Sequence, residues 1–202
     1  MRTTLQILFR LATGFIFVMF FSCETPEPVK EATPETITRL QLTFTPDDGG
    51  DPIIVEATDP DAEGVQEITA SDSIRLLASV NYELQIKLFN ELVEPAAPEY
   101  DITVEIEDEG VEHLLLFGWT DNAFTSPPGN GNVDSRNDDV VYLDADLNGL
   151  PLGLRTSWAT NSSVIKGDFR IVLKHQPDLK SENSGVDTGE TDLDFTFGLR
   201  ID

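Results

Sequence analysis

The chain has 202 residues, of which 37 are Asp or Glu and 13 are Lys or Arg, so its formal net charge at pH 7 is −24. Such an acidic surface repels nucleic acid and anionic lipid headgroups, so we expect neither as a partner. The length suits one domain with its own hydrophobic core behind a short N-terminal segment.

Residues 1–22 are typical of a secretory signal peptide. Residues 11–21 are almost wholly apolar, and the run is too short to span a bilayer comfortably as a permanent helix. Ser22 stands directly before Cys23, which is the single cysteine of the chain. This junction resembles the lipobox of bacterial lipoproteins, in which the cysteine is acylated and becomes the new N-terminus. We therefore predict a lipid anchor at Cys23; an ordinary signal peptide or an uncleaved anchor is the alternative.

Residues 23–36 are predicted to form a flexible tether. Three prolines and four glutamates between Glu24 and Glu35 prevent regular pairing and keep the segment hydrated. The early acidic residues resemble the export signal of surface lipoproteins of the Bacteroidota. We expect a lipid-anchored protein of the outer membrane, at its periplasmic face or on the cell surface, with a single domain over residues 37–202.

Short segments of alternating hydrophobicity begin after the tether. Apolar residues at every second position predict strands with one buried and one wet face, and the turn-forming residues at 47–52 predict a hairpin. The predicted strands of the N-terminal half are 40–44, 53–57, 74–77 and 82–88.

Residues 101–113 fit either a strand or a helix. Apolar residues alternate from Ile102 to Ile106, but the spacing of these two also fits one face of a helix that Asp101 can cap. We predict a short helix here, followed by a buried strand at 114–119.

The C-terminal half has a plainer strand pattern, including an Asn-Gly turn that is typical of hairpins. In the last strand the odd-numbered apolar residues from Leu193 onward are predicted to face the core, and Asp192 and Asp194 to face outward. About eight or nine strands at this spacing predict a mainly β fold, an immunoglobulin-like antiparallel β-sandwich with one short helix. The predicted strands of this half are 140–144, 152–158, 169–173 and 193–201.

Residue patterns that carry catalysis are poorly represented. The chain has no Gly-x-Ser-x-Gly motif, and it offers two histidines as bases. Acidic residues are abundant, so a catalytic pair of carboxylates as in glycosidases remains an alternative. Their spacing does not single out two of them. We expect a protein that is not an enzyme.

His113 and His175 are the most specific candidates for a ligand site. His175 continues the apolar row that begins at Phe169, and His113 ends an acidic segment next to Glu112. A neutral imidazole is a good ligand for a metal such as zinc or copper, and a nearby carboxylate completes or orients such a site. We predict a divalent metal ion at His113, His175 and Glu112; the alternative is a pair of hydrogen-bonded histidines at strand ends.

Two acidic loops, 59–64 and 144–149, place oxygen-bearing side chains at alternate positions before a glycine. Calcium requires six to eight such oxygens, but Asp, Asn and Gly are equally favoured in hairpin turns. Both interpretations are open from the sequence.

Four motifs are characteristic of one group of lipoproteins: Leu42-Thr-Phe-Thr-Pro, Asp146-Leu-Asn-Gly-Leu-Pro, Lys174-His-Gln-Pro-Asp and Gly189-Glu-Thr-Asp. On these motifs the chain resembles small lipoproteins of flavobacteria and other Bacteroidota, which are often labelled type 1 periplasmic-binding-fold superfamily proteins. That label implies two α/β lobes, for which this sequence has neither the length nor the helices. The resemblance implies an accessory of a TonB-dependent outer-membrane receptor that captures a nutrient or metal. A structural or adhesive surface module without a small ligand is the alternative.

Overall fold

This computed structural model describes residues 35–60 and 68–202. The predicted signal peptide, Cys23, nearly all of the tether and most of the loop at 59–64 therefore lie outside the described residues. The described residues form eleven strands, one α-helix and a 3-10 turn at Pro98–Tyr100. In chain order they are β1 (Arg39–Pro46), β2 (Ile53–Thr58), β3 (Thr69–Ala70), β4 (Ile74–Leu76), β5 (Asn81–Phe89), α1 (Ile102–Asp108), β6 (His113–Trp119), β7 (Phe124–Ser126), β8 (Val141–Tyr142), β9 (Arg155–Thr160), β10 (Ile165–His175) and β11 (Glu190–Ile201).

The strands of the described residues form two sheets. The larger sheet has seven strands in the order β3-β2-β1-β5-β9-β7, with β8 also paired to β9, and the smaller has four in the order β4-β11-β10-β6. This confirms the predicted mainly β sandwich with one short helix. One pairing differs from a purely antiparallel sandwich, because β4 lies parallel to β11. The two strands are far apart in the chain, so no hairpin imposes an antiparallel direction on them.

The core lies between the two sheets and follows the predicted alternation. In β5 the side chains from Tyr82 to Leu88 alternate between buried and accessible positions. Aromatic rings fill the centre, where Trp158 lies 5.0 Å from Phe169 and 5.6 Å from Phe117 between ring centroids, in edge-to-face geometry. The indole nitrogen of Trp158 donates to Thr156 Oγ1 at 2.7 Å, so its polar atom is satisfied inside the core.

The predicted helix is confirmed as α1, with Asp101 as its N-cap. The Asp101 side chain accepts a hydrogen bond from the Thr103 backbone N–H at 3.2 Å. Ile106 is buried, and the Thr103 hydroxyl both accepts from the Leu88 N–H and donates to the Leu88 carbonyl. These contacts fix α1 against β5, so that the residues after α1 lead directly into β6.

The loop at 144–149 is a hairpin turn. Asp144 and Asp146 each accept hydrogen bonds from two backbone N–H groups of the hairpin, at 2.7–2.9 Å. Asp146 also forms a buried ion pair with Lys180, whose ammonium lies 2.9 Å from Asp146 Oδ2. These donors occupy the carboxylates, which supports the interpretation of this loop as a hairpin turn.

Within residues 35–60 and 68–202, no helix has the length and apolar character needed to cross a membrane.

Candidate metal centre

The two histidines meet at one end of the four-stranded sheet. His113 is the first residue of β6 and His175 is the last residue of β10, and the antiparallel register places them opposite each other. Their rings are stacked, with centroids 4.7 Å apart and planes 7° from parallel. His113 is fully buried and His175 is 4% exposed. The fold thus brings together two residues that are far apart in the sequence.

His113 presents a lone pair inside the protein. Its Nδ1 lies 3.2 Å from the backbone carbonyl of Glu109, and because a carbonyl oxygen can only accept, Nδ1 carries the hydrogen. The lone pair is therefore on Nε2, which is buried and has no hydrogen-bond partner among the described residues. A metal-binding histidine usually donates its other N–H to a carbonyl or carboxylate in this way.

His175 has the same arrangement with the nitrogens exchanged. Its Nε2 lies 3.3 Å from Glu112 Oε2, so in the tautomer that donates to this carboxylate the hydrogen is on Nε2. The lone pair of that tautomer is on Nδ1, which is buried and has no hydrogen-bond partner in the described part of the chain. Glu112 thus contacts His175, and it is outside the group of possible ligand atoms that contains both histidines.

A carboxylate grouped with both rings belongs to Glu109, just after α1. One ligand atom from each of Glu109, His113 and His175 lies within 4.8 Å of those of the other two. The carboxylates of Glu35, Glu105 and Glu109 form a second group with the same spacing. The sequence did not single out these three glutamates, because α1 lies in a run of acidic residues and Glu35 lies in the predicted tether.

Asp192 also belongs to this region, and the prediction that it faces outward is wrong. The pairing of β10 with β11 shifts its register next to Leu173, which makes Asp192 an extra residue in β11. Such a bulge turns a side chain away from its alternating position. Asp192 is 6% exposed; its Oδ1 accepts from the Glu35 backbone N–H at 3.4 Å, and its Oδ2 lies 3.8 Å from His113 Nε2.

Burial and like charge shift the pKa values of this region. Burial, followed by repulsion from His175, lowers the pKa of His113 to about 4, so its ring is neutral and able to coordinate at pH 7. Burial and the neighbouring carboxylates, Glu105 foremost, raise the pKa of Glu35 to about 7. Burial raises the pKa of Asp192 to about 6, although the nearby His175 and the Glu35 N–H oppose this rise. The region therefore holds more negative charge than its surroundings stabilise.

A separate surface cavity of about 360 Å³ lies beside β6 and β10, lined in part by Asn130, Asp134 and Arg170. The Arg170 guanidinium forms two hydrogen bonds to Asp194 at 2.6 and 2.7 Å, and Asn130 donates to Asp134 at 2.8 Å. Trp119 also lines the cavity, and its buried indole nitrogen has no hydrogen-bond partner among the described residues. The histidine end has such unpaired atoms on His113, His175 and Asp192, and is therefore the better candidate for a ligand site.

No protein-family model, curated protein or solved structure matches this chain. The resemblance to small Bacteroidota lipoproteins therefore stays a prediction, and the chemistry of the site is inferred from its own geometry.

Proposed function

We propose that this protein is a non-enzymatic, lipid-anchored outer-membrane lipoprotein that binds a divalent transition-metal ion and serves as an accessory of TonB-dependent uptake. The ion is held by His113, His175 and Glu109. The main support is the pair of buried imidazoles, each of which has one nitrogen held by an acceptor and a second nitrogen without any hydrogen-bond partner in the described residues.

The donor set suits zinc, copper or nickel. Two imidazole nitrogens and one carboxylate oxygen are ligands that these ions share, whereas calcium prefers oxygen alone. Each unpaired buried polar atom costs about 1–3 kcal/mol, and coordination of an ion by the two nitrogens offsets that cost. The Glu109 carbonyl and the Glu112 carboxylate hold the two tautomers that coordination requires.

Binding of one ion to both rings requires a small rearrangement. A lone pair lies in the plane of its own ring, and the two rings are nearly parallel at 4.7 Å. A single ion cannot lie in both planes, so one imidazole must rotate about its Cβ–Cγ bond before both nitrogens coordinate. Loss of the stacked geometry is therefore an expected consequence of metal binding.

The acidic surface and the predicted anchor fit a role in cation capture. A formal charge of −24 attracts cations toward the protein, and a lipid at Cys23 would keep the domain at the membrane. The tether at residues 23–36 would let the domain reach a receptor in the same membrane.

Calorimetric titration tests the metal site. The full-length chain, without a polyhistidine tag, is purified in detergent, stripped with EDTA and titrated with ZnCl2 or CuSO4 at pH 7.5. We expect saturable binding. Loss of a residue that only orients a metal ligand weakens metal binding by about 10–100-fold. His175→Ala removes a ligand and should weaken metal binding by more than this. Glu109→Gln should also weaken binding, and this variant keeps the backbone carbonyl that accepts from His113 Nδ1.

Glu107→Gln is the matched control, because Glu107 is an exposed glutamate of the same helix that is outside both ligand groups. It should bind metal as the unchanged protein does. Absence of binding by the unchanged protein, or equal affinity in His175→Ala that circular dichroism shows to be folded, would contradict the metal site. Co-purification of a transporter from outer membranes would support the uptake role, and capture of matrix polymers would favour the adhesive alternative.

A further inference from the structure

We infer that the surface cavity beside β6 and β10 is a second binding site, whose ligand is a neutral saccharide. Its volume of about 360 Å³ is within the range of about 300–1,000 Å³ that is typical of small-molecule pockets. The cavity shares no residue with the group of His113, His175 and Glu109, so the inference goes beyond the proposed metal binding and does not depend on it.

The floor of the cavity is a row of paired residues on the outer face of the four-stranded sheet. Gly118 of β6 is paired with Arg170 of β10, which is paired with Thr196 of β11. Residues paired across antiparallel strands point to the same face, and Asp168, two positions before Arg170, also points there. All four residues line the cavity, so a regular sheet presents a carboxylate, a guanidinium and a hydroxyl side by side.

Gly118 leaves open the space that the cavity occupies. A Cβ atom at this position would lie 3.6 Å from Val133 and 3.7 Å from Arg170, which are ordinary contact distances, and the φ angle is not positive. Gly131 pairs with Gly118 as a backbone bridge, but none of its atoms is among the three nearest to that Cβ. Neither packing nor backbone conformation therefore requires glycine here. Glycine in the interior of a strand weakens the strand and often marks the close approach of a ligand.

The wall of the cavity is a loop that is fixed to β6 by hydrogen bonds. The Asn130 carbonyl accepts from the Trp119 backbone N–H at 2.9 Å, and the Asn132 side chain accepts from the Phe117 N–H at 2.9 Å. The Asn130 side chain in turn donates to Asp134 at 2.8 Å. A lining that is held in place before the ligand arrives loses little conformational entropy on binding.

The lining offers hydrogen-bond donors and acceptors together. The Arg170 guanidinium uses two of its N–H groups for Asp194 and has others available, while Asp134 and Asp168 offer carboxylate oxygens. The exposed hydroxyl of Thr196 can donate and accept. A sugar hydroxyl group also donates and accepts at once, so a saccharide matches this mixture.

The charges of the lining disfavour an ionic ligand. Arg170 is the one cation among the lining residues that the structure describes, and the Asp194 carboxylate balances its charge. An anion would therefore face Asp134 and Asp168 without a free positive charge to attract it. An ammonium group has donors alone, so it would meet the N–H donors of Arg170. A neutral ligand avoids both repulsions.

The two carboxylates support binding and not hydrolysis. A glycosidase requires one carboxyl group that apolar surroundings keep protonated. Asp134 and Asp168 are both exposed to solvent and lack such surroundings. The cavity therefore holds a saccharide without cleaving it.

Titration followed by NMR spectroscopy tests the inference. The ¹⁵N-labelled full-length chain is kept in EDTA and in a detergent without a sugar headgroup, because a glycoside detergent would compete for the cavity. It is titrated with maltose, cellobiose or lactose, and separately with sodium sulfate or ethylammonium chloride. We expect saturable shifts of the amide signals of residues 118–120, 130–134 and 168–170 with at least one disaccharide, and with neither salt.

Two variants and a control assign the binding to the cavity. Asp168→Ala removes an acceptor at an exposed position and should weaken disaccharide binding by about tenfold or more. Gly118→Ala adds a methyl group to the floor and should also weaken binding, although thermal unfolding should show no loss of stability. Asp51→Ala is the matched control, because Asp51 is an exposed aspartate outside the lining, and it should bind as the unchanged protein does.

Four results would overturn the inference. They are the absence of saturable disaccharide binding by the unchanged protein, tighter binding of either salt than of any disaccharide, unchanged affinity in Asp168→Ala that is shown to be folded, and an equal loss of affinity in the control. Release of monosaccharides during the titration would overturn the assignment of binding without hydrolysis. Failure of the metal site is separate, because EDTA keeps metal ions out of this experiment.

Discussion

Asp192→Asn should stabilise the metal-free protein at pH 8 while it weakens metal binding. In the absence of an ion, the buried Asp192 carboxylate has lost its hydration, and its Oδ2 has no hydrogen-bond partner in the described part of the chain. Asparagine has the same shape, carries no charge and still offers an oxygen to the Glu35 N–H. A residue whose removal stabilises the protein but lowers affinity is expected at a binding site and not at a purely structural one.

The size of the effect follows from the pKa of Asp192, which rises from 3.8 to about 6. At about 1.4 kcal/mol per pKa unit, this difference corresponds to about 3 kcal/mol. Because the folded-state pKa is the higher one, the stability that protonation contributes is complete below pH 3.8 and is lost as the pH rises through 6. The free energy of unfolding of the Asn variant should therefore equal that of the unchanged protein near pH 4. Above pH 7 it should be higher by up to about 3 kcal/mol.

Urea unfolding in EDTA at pH 4 and pH 8, followed by tryptophan fluorescence, measures this difference. Asp194→Asn is the control on the same strand, because it removes the negative charge and one of the two oxygens that accept from Arg170, and should lower stability at pH 8. A loss of stability in Asp192→Asn at pH 8, or an equal gain at both pH values, would refute the reasoning.

Three other changes have defined outcomes. Phe169→Ala removes a ring from the aromatic core and should lower the free energy of unfolding by about 3–5 kcal/mol in urea; a loss below 1 kcal/mol would contradict this packing. Asp146→Asn leaves the buried ammonium of Lys180 without its counter-charge and should cost about 3–5 kcal/mol in the same assay, whereas unchanged stability would contradict a structural pair. Cys23→Ser should move the protein from the membrane to the soluble fraction, and mass spectrometry should then find no acyl chains; an unchanged membrane fraction would argue against the lipid anchor.

Strands that bury one face were predictable, whereas the short strands β3 and β7 were not. The alternation in β5 and the Asn-Gly turn before β9 depend on neighbours in the chain, and the Asp101 cap that starts α1 acts over two residues. Local rules of this kind suffice for elements whose stability comes from one buried side. The parallel pairing of β4 with β11 was not predictable, because it joins segments that are far apart in the chain.

The site was predictable only in its histidines. His113 and His175 stood out because the chain has two histidines, of which His175 continues an apolar row and His113 ends an acidic segment. Asp192 was assigned to the wrong face, because a one-residue bulge reverses the alternation and leaves no mark in the sequence. Glu109 and Glu35 had no distinguishing pattern, since acidic residues are frequent throughout the chain.

Two buried polar clusters in this fold differ in a way that separates structure from binding. Lys180 pairs with Asp146 and also donates to the Gly110 carbonyl, so its positive charge has two partners close at hand. At the histidine end, by contrast, both imidazoles have a buried nitrogen and Asp192 has a buried oxygen without a hydrogen-bond partner, all within the described residues. Asp146 Oδ2 also has no hydrogen bond there, but the Lys180 ammonium lies 2.9 Å from it, whereas Asp192 Oδ2 has His113 Nε2 at 3.8 Å. Unpaired buried polar atoms reduce stability. A cation bound at the histidine end would supply the missing partner, and this difference is the physical basis for proposing metal binding there.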